Sequence, residues 1–328
     1  TTFDVSFDHF CTCDGSIHIT ATVKNTGKYT GKEVVQVYYG APQGKLGKPL
    51  RQLGAFHKTA DLKPGESESY ELSFPIADMA SYDDSGITGH KSCYVLEAGE
   101  YPIYAGTDSH SAALVGSYKL DTLTVTQKLT EANAPILPFT RMHPVERDGK
   151  LVMEYEDVPL RTVDVEKRIA SELPEDIPYT GDRGIKLIDV AEGRATLTDF
   201  IAQLNDLELA CLCRGEGMCS PKVTPGTGCA YGGTTNALLA YGIPTLCGTD
   251  GPTGLRMDCG AQATAMPIAT LLACTWNEQL VEEMFVYEGI EMTAYKIDTL
   301  LGPGMNIHRN PLNGRNFEYY SEDPLLTG

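Results

Sequence analysis

Two short stretches of this sequence concentrate side chains that bind polar ligands. The first is Thr249-Asp250-Gly251-Pro252-Thr253-Gly254-Leu255-Arg256. The second runs from Asn306-Ile307-His308-Arg309 through Gly314-Arg315-Asn316-Phe317-Glu318 to Ser321-Glu322-Asp323-Pro324. In both, Gly and Pro bend the backbone around carboxylates and guanidinium groups, so the charges are aimed rather than simply solvated. A carboxylate accepts two hydroxyl protons at once, and a guanidinium presents a planar fork of donors. Such a pair suits vicinal hydroxyls or a carboxylate ligand. The same residues also have plain structural uses: Arg315 with Glu318 makes a supporting ion pair, and Asp250 suits a helix cap.

Other clusters carry less chemistry. Arg214-Gly215-Glu216-Gly217-Met218-Cys219 and Thr224-Pro225-Gly226-Thr227-Gly228-Cys229-Ala230-Tyr231-Gly232-Gly233 form a Gly-rich loop. It holds neither GK[ST] nor G-x-G-x-x-G, so a nucleotide cradle is excluded in favour of a pocket-rim loop from which Glu216 approaches a substrate. The seven histidines show no metal-ligand spacing. The ten cysteines include Cys11-x-Cys13 and Cys211-x-Cys213, which are too close for the usual zinc spacing. They read as scattered reduced thiols, in keeping with a cytoplasmic setting. A thiol-redox or zinc protein is the minor alternative.

The elements that must position these groups change character along the chain. Residues 1 to about 125 show short alternating runs closed by turn residues. Ser16–Val23 alternates with period two and ends at Asn25-Thr26-Gly27, and Glu33–Tyr39 ends at Gly40-Ala41-Pro42. Further runs cover Ser69–Phe74, Ser92–Glu97 and Tyr101–Gly106. Many short strands with Gly, Pro and Asn punctuation predict an antiparallel β-sandwich. From 126 to 185 prolines interrupt any periodicity, so an extended linker is expected, with one helical turn near Val163 to Ser171. From 186 to 328 the texture is α/β. Thr198–Leu204, Asp206–Leu212 and Asn277–Phe285 carry helical spacing, whereas Ile243–Gly248 and Thr299–Gly304 are short strands running into loops. That alternation predicts parallel β/α units, whose polar residues just after the strands form the active face.

Composition narrows the partners. The chain has 328 residues, 26 basic against 44 acidic, for a formal charge of −18. A deficit of that size excludes nucleic acid and anionic membranes as partners, because both need a basic face. No apolar run approaches the roughly 18 residues of a membrane span. Thr1 rather than Met stands first, and Asp323-Pro324-Leu325-Leu326-Thr327-Gly328 reads as the start of a helix rather than a natural end.

The two polar stretches also carry a family resemblance. Thr249–Arg256 resembles the DGP-x-G-x-R segment of family 3 glycoside hydrolases. Gly302-Pro303-Gly304-Met305-Asn306-Ile307-His308-Arg309, Gly314-Arg315-Asn316-Phe317-Glu318 and Ser321-Glu322-Asp323-Pro324 resemble the long GPG…GRNFE…SEDP segment of that family's β-glucosidase-like branch. Asn25-Thr26-Gly27 followed by Gly31–Tyr38 resembles the fibronectin-III-like domain of the same enzymes. The resemblance spans nearly the whole chain, least specifically over 126–185. The sandwich precedes the barrel here, as in the inverted subgroup, in which an α/β-sandwich domain would lie before Thr1.

Residue by residue, the resemblance implies that Asp250 and Arg315 bind hydroxyls of the sugar in subsite −1, with Arg256 at the pocket wall. Glu318 would hold Arg315 in place, and His308 would serve a structural hydrogen bond. The fold implied is a fibronectin-III-like antiparallel β-sandwich over 1–125, an extended linker over 126–185, and over 186–328 the N-terminal part of a (β/α)8 TIM-like barrel. Such a barrel takes roughly 250 residues, and 190 to 328 supplies about half. A retaining glycosidase needs two carboxyl groups about 5–5.5 Å apart. In this family the nucleophile lies in an SDW-like segment beyond SEDP, and the only tryptophan, Trp276, is not preceded by Ser-Asp. The acid/base of the β-glucosidase branch lies in the α/β-sandwich domain. No catalytic residue, metal or cofactor is therefore expected in this chain.

The expected function is a portion of a retaining β-glycosidase acting on terminal non-reducing β-D-glucosides, inactive alone. Its partners would be a β-glucoside or oligosaccharide substrate and the remainder of the same enzyme, and a homo-oligomer is compatible with it. The GRNFE…SEDP form favours β-glucosides or β-xylosides. The competing class is a non-catalytic carbohydrate-binding protein, a fibronectin-like module fused to a degenerate barrel.

Overall fold

The alternation over Ser16–Val23 explains the core of the first half of the molecule. In the computed structural model, which describes residues 1–328, Ile17, Ile19, Ala21 and Val23 are all at most 1% exposed, and the residues between them are only partly covered. Strands bury alternate side chains, so this segment offers one apolar face. The strands of this half are β1 (Phe3–Cys13), β2 (Ser16–Asn25), β3 (Val34–Tyr39), β4 (Gln52–Lys58), β5 (Ser67–Pro75), β6 (Ser81–Asp83), β7 (Cys93–Leu96), β8 (Gly99–Gly106), β9 (Ala113–Leu120) and β10 (Thr124–Lys128). They form sheets in the orders β1-β2-β5, β4-β3-β8-β9 and β10-β7-β6, and all pairings within them are antiparallel.

The first two sheets supply one core. Ile17, Ile19, Val23, Leu72 and Phe74 from one meet Val35, Val37, Tyr39, Tyr101 and Ile103 from the other. Each fully buried side chain of this kind stabilises the fold by about 1.5–3 kcal/mol relative to leaving it in water. The Asn25-Thr26-Gly27 turn is fastened from within. Asn25 is fully buried, donates from Nδ2 to the carbonyls of Tyr29 (2.8 Å) and Leu62 (2.7 Å), and accepts from Gly27 N–H (2.9 Å). A buried amide is tolerated because its donors and its acceptor are all engaged. A second buried polar contact joins Lys48 to Glu97, whose side chains are 2% and 8% exposed. Lys48 Nζ also donates to the Pro42 carbonyl, and Glu97 accepts from the backbone N–H of Lys45 (2.7 Å) and Leu46 (3.2 Å).

Two expectations meet a different outcome here. Cys11 and Cys13 are joined in a disulfide rather than being free thiols, while the other eight cysteines are free. They lie two apart on β1, on one face of the strand, just past a register shift between Asp8 and Cys11. Within 126–185, where the sequence suggests an extended connection, β11 (Thr140–Arg147) and β12 (Lys150–Asp157) form an antiparallel hairpin, followed by helix α1 (Val165–Glu172). The hairpin turns at Asp148-Gly149, both with positive φ, the signature of a tight two-residue turn. Pro144 within β11 masks its alternation in the sequence. Cross-strand pairs then stabilise it: Arg141 with Glu156 (2.6 Å) and Arg147 with Glu154 (2.5 Å).

The chain divides into two compact units, Thr1–Ser171 and Glu172–Gly328. The second holds α2 (Leu187–Ala191), α3 (Leu197–Ala202), α4 (Asp206–Arg214), β13 (Cys229–Gly232), α5 (Asn236–Ala240), β14 (Thr245–Asp250), α6 (Ala269–Ala273), α7 (Glu278–Tyr295), β15 (Thr299–Leu301) and α8 (Pro324–Thr327). Several of its helices start where the sequence places a capping side chain. Thr196 accepts from Asp199 N–H, Asn205 makes a reciprocal capping box with Glu208, and Asp323 accepts from Leu325 and Leu326 N–H at the start of α8. Phe200, Leu204, Leu238, Tyr241 and Ile243 form one apolar cluster; Cys247, Leu255 and Ile297 form another.

These strands make one sheet, ordered β13-β14-β15. β14 and β15 run parallel with α7 between them in sequence, as the β/α reading expects. β13 instead runs antiparallel to β14. It follows the Gly-rich loop and is only four residues long, and its connection to β14 holds only the five-residue helix α5, shorter than the crossovers that usually join parallel neighbours.

Asn277 caps the longest helix, accepting from Leu280 N–H at 3.2 Å. Replacing it with Ala is expected to destabilise the second unit by about 1 kcal/mol. Urea denaturation followed by far-ultraviolet circular dichroism measures this, and an unchanged midpoint would remove the cap from the account.

Candidate sugar-binding site

The two polar stretches meet because β14 and β15 are parallel neighbours. Gly248, Thr249 and Asp250 pair with Thr299, Leu300 and Leu301. Parallel strands end on the same edge of their sheet, so the chain after Asp250 and the chain after Leu301 leave from one side. Gly251 N–H continues the ladder to the Leu301 carbonyl at 3.3 Å. The first loop then folds back on its own strand: Arg256 N–H donates to the Asp250 carbonyl and Thr249 Oγ1 to the Arg256 carbonyl, both at 2.8 Å. This closure brings Arg256 Nη1 to 3.9 Å from Asp250 Oδ2, while Arg256 Nε contacts Asp258 Oδ1 at 3.2 Å. Asp250 is not a helix cap; it ends a strand and opens a turn.

The second loop is held by side chain to backbone bonds. Thr270 of α6 donates to the Tyr319 carbonyl at 2.8 Å, and Asn316 Nδ2 donates to the Asn310 carbonyl at 2.8 Å. His308 Nε2 lies 2.9 Å from the Tyr319 carbonyl and its N–H donates to Ser321, so it ties the two arms of the loop together. Arg315 Nε is paired with Glu318 Oε1 and its guanidinium lies 6.0 Å from the Tyr319 ring centroid. Glu318 is only 10% exposed, whereas Arg315 is 71% exposed. A buried acid therefore steers an open guanidinium. Glu318 chiefly, with a further contribution from Asp250, raises the basicity of Arg315.

Asp250, Arg256 and Arg315 thus share one edge, and the side chains of Asp250 and Arg256 are more than half exposed. An open carboxylate flanked by planar donor forks can grip neighbouring hydroxyls of a ring. Glu216 has partners of its own. It belongs to a network in which Ser220 Oγ donates to it at 2.6 Å and Lys222 is its ion partner, and Lys222 chiefly holds its carboxyl below the usual range. Its backbone pairs with Ala230 next to β13. No group of three or more His, Cys, Asp or Glu side chains is placed to hold a metal ion, and no helix is long and apolar enough to cross a membrane.

One acid escaped the sequence reading. Glu288 in α7 is 3% exposed, and neither carboxylate oxygen has a hydrogen-bond partner. Burial, and then the charge of Glu291, pushes its carboxyl up to about 7. The signal was available: Glu288 lies on the same helical stripe as Val281, Met284, Met292 and Tyr295, the positions that face inward at i, i+3 and i+4.

The folds of the two halves define their class. Residues 33–109 match the fibronectin type III-like domain, and residues 204–328 match the glycosyl hydrolase family 3 N terminal domain. The chain thus joins a region that matches the fibronectin type III-like domain to one that matches the glycosyl hydrolase family 3 N terminal domain. Along its whole length it is 53% identical to a β-glucosidase of Ruminococcus albus and covers 34% of that protein. Over 95% of its length it is 38% identical to β-glucosidase A of Butyrivibrio fibrisolvens, covering 39% of it. The crystal structure of a β-glucosidase from Paenibacillus barengoltzii superposes on all of the chain with a TM-score of 0.94 at 52% identity, and the chain covers 36% of that structure. The chain thus spans about a third of the length of these relatives.

Proposed function

We propose that the chain is a portion of a retaining β-glycosidase that hydrolyses terminal non-reducing β-D-glucosides, and that it contributes the groups that bind the sugar in subsite −1. Asp250 accepts two ring hydroxyls, Arg315 donates to the same sugar, Arg256 lines the pocket wall, and Glu318 steers Arg315. The parallel pairing of Asp250 with Leu301 carries this reading, because it gathers carboxylate and guanidinium groups from separate loops at one sheet edge. Similarity along nearly all of the chain to about a third of two β-glucosidases supports the substrate class. The β14-α7-β15 unit is read as an early part of a (β/α)8 barrel whose other strands lie in the remainder of the enzyme. Glu216 belongs to the rim of the same pocket. The nucleophile and the acid/base are assigned to that remainder, and the enzyme to the cytoplasm.

The reading has a direct test. Purified residues 1–328 are expected to release no aglycone from an aryl β-glucoside, whereas the longer polypeptide containing them hydrolyses it with retention of configuration. Turnover by residues 1–328 at an enzymatic rate would place both catalytic carboxylates inside this chain. A longer polypeptide that binds glucosides without cleaving them would make the protein a carbohydrate-binding module.

A further inference from the structure

We propose that the protonation state of Glu288 sets the position of the Asp250-Gly251 turn, which makes Glu288 a positioning residue for that edge of the sheet. The link to substrate rests on the proposed sugar-binding role of Asp250; the link to the turn does not.

The geometry begins at Gly251. A Cβ on this residue would stand 2.2 Å from Leu300 Cδ1 and 3.1 Å from Glu288 Oε1. The carboxyl of α7 is therefore packed against the backbone of the turn, with no room for a side chain between them. Both of its oxygens lack a partner although the residue is 3% exposed. A neutral carboxyl is tolerated in such a place, whereas an unpaired carboxylate is costly and moves toward water or a cation.

The charges around it favour the neutral form. On its own helix the neighbour is Glu291, an acid. From the segment after Glu318 comes Tyr320, whose phenol is pushed up by burial and then by the Glu288 charge. From the turn the nearest ionisable group is Asp250, again an acid, while β15 offers the apolar Leu300. The basic groups of this edge are engaged elsewhere: Arg256 with Asp250 and Asp258, and Arg315 with Glu318. Ionisation of Glu288 thus adds a negative charge beside that of Glu291 and drives the carboxylate off the Gly251 backbone. The turn shifts with it, and Asp250 sits at the head of that turn.

The sign follows from the raised value of about 7. The folded state holds this proton more tightly than the unfolded chain does, so its stabilising effect is complete at low pH. It declines as pH rises from the ordinary carboxylate range and is gone above about 7.

Nuclear magnetic resonance on the chain tests the coupling. With glutamate carboxyl carbons and backbone amides labelled, the Glu288 carboxyl is expected to titrate near pH 7, with the Gly251 and Asp250 amides following the same midpoint. In Glu288→Gln, which keeps the shape without the charge, those amides stay still. A Glu288 midpoint in the ordinary carboxylate range overturns the proposal, as do amides that titrate alike in the wild type and Glu288→Gln. Glucose titrated into the longer polypeptide at about pH 5.5 and about pH 8.5 reads the link to substrate. Wild-type affinity should fall by up to about tenfold per pH unit above the midpoint, and that of Glu288→Gln should not. Amides that follow Glu288, together with a longer polypeptide that binds no glucose at either pH, uphold the positioning role and reject the sugar-binding reading of Asp250.

Discussion

Replacing Asp250 with Ala in the enzyme that contains this segment is expected to lower kcat/KM for an aryl β-glucoside by roughly two to four orders of magnitude. Asp250 offers two oxygens to two hydroxyls, and hydrogen bonds to a charged group contribute about 1.5–3 kcal/mol each. Each 1.36 kcal/mol is a factor of ten in rate. The loss should fall on kcat as well as KM, because contacts to the sugar strengthen as the ring flattens toward the oxocarbenium-like transition state. The fold should survive, since the Asp250 side chain is half exposed and its backbone carbonyl, not its carboxylate, anchors the loop through Arg256 N–H. Asp250→Asn, which keeps one acceptor and loses the charge, should fall between. Steady-state kinetics on the three proteins decides it, and a near wild-type kcat/KM for Asp250→Ala removes this carboxylate from the site.

The second large effect concerns stability. Removing the Glu97 carboxylate leaves Lys48 with its side chain 2% exposed and without its ion partner, and it leaves the N–H groups of Lys45 and Leu46 unpaired. Breaking a buried pair from one side costs about 3–5 kcal/mol, because the remaining charge is stranded. Glu97→Ala is thus expected to lose a large part of the stability of the fibronectin-like unit, whose total should be of the order of 5–15 kcal/mol. The double variant Lys48→Met/Glu97→Gln removes the charge and keeps an acceptor for the Lys45 N–H, so it should recover most of that loss. Denaturant unfolding of residues 1–171 reads both. If the double variant is as unstable as Glu97→Ala, the loss comes from the loop around 40–50 and not from a stranded charge.

The two predictions draw on different kinds of information. Asp250 stood out by its neighbours in sequence, since Gly and Pro on either side of a lone carboxylate already suggest an aimed group. Lys48 and Glu97 did not stand out. They are 49 residues apart, and only the packing of the strand connections brings them together and excludes water. Glu288 lies between these cases: its place on an apolar helical stripe was legible, but its contact with Gly251 was not.

Local physics determined much of this protein from the sequence alone. Period-two alternation specified β2, because one register buries Ile17, Ile19, Ala21 and Val23 and a shift by one residue would expose all four. Capping side chains marked the starts of α3, α4, α7 and α8, because each satisfies amide groups only two or three residues away. The polar composition of the two loops set them apart as a candidate site. What the tertiary structure decided was long-range. It paired Asp250 with Leu301, set β13 antiparallel to β14, and folded 140–157 into a hairpin through a proline that hides its alternation. Pairing between strands some fifty residues apart depends on loop closure and on which faces can be buried together. No window of neighbouring residues contains that information, and it is the pairing that turns two polar loops into one candidate site.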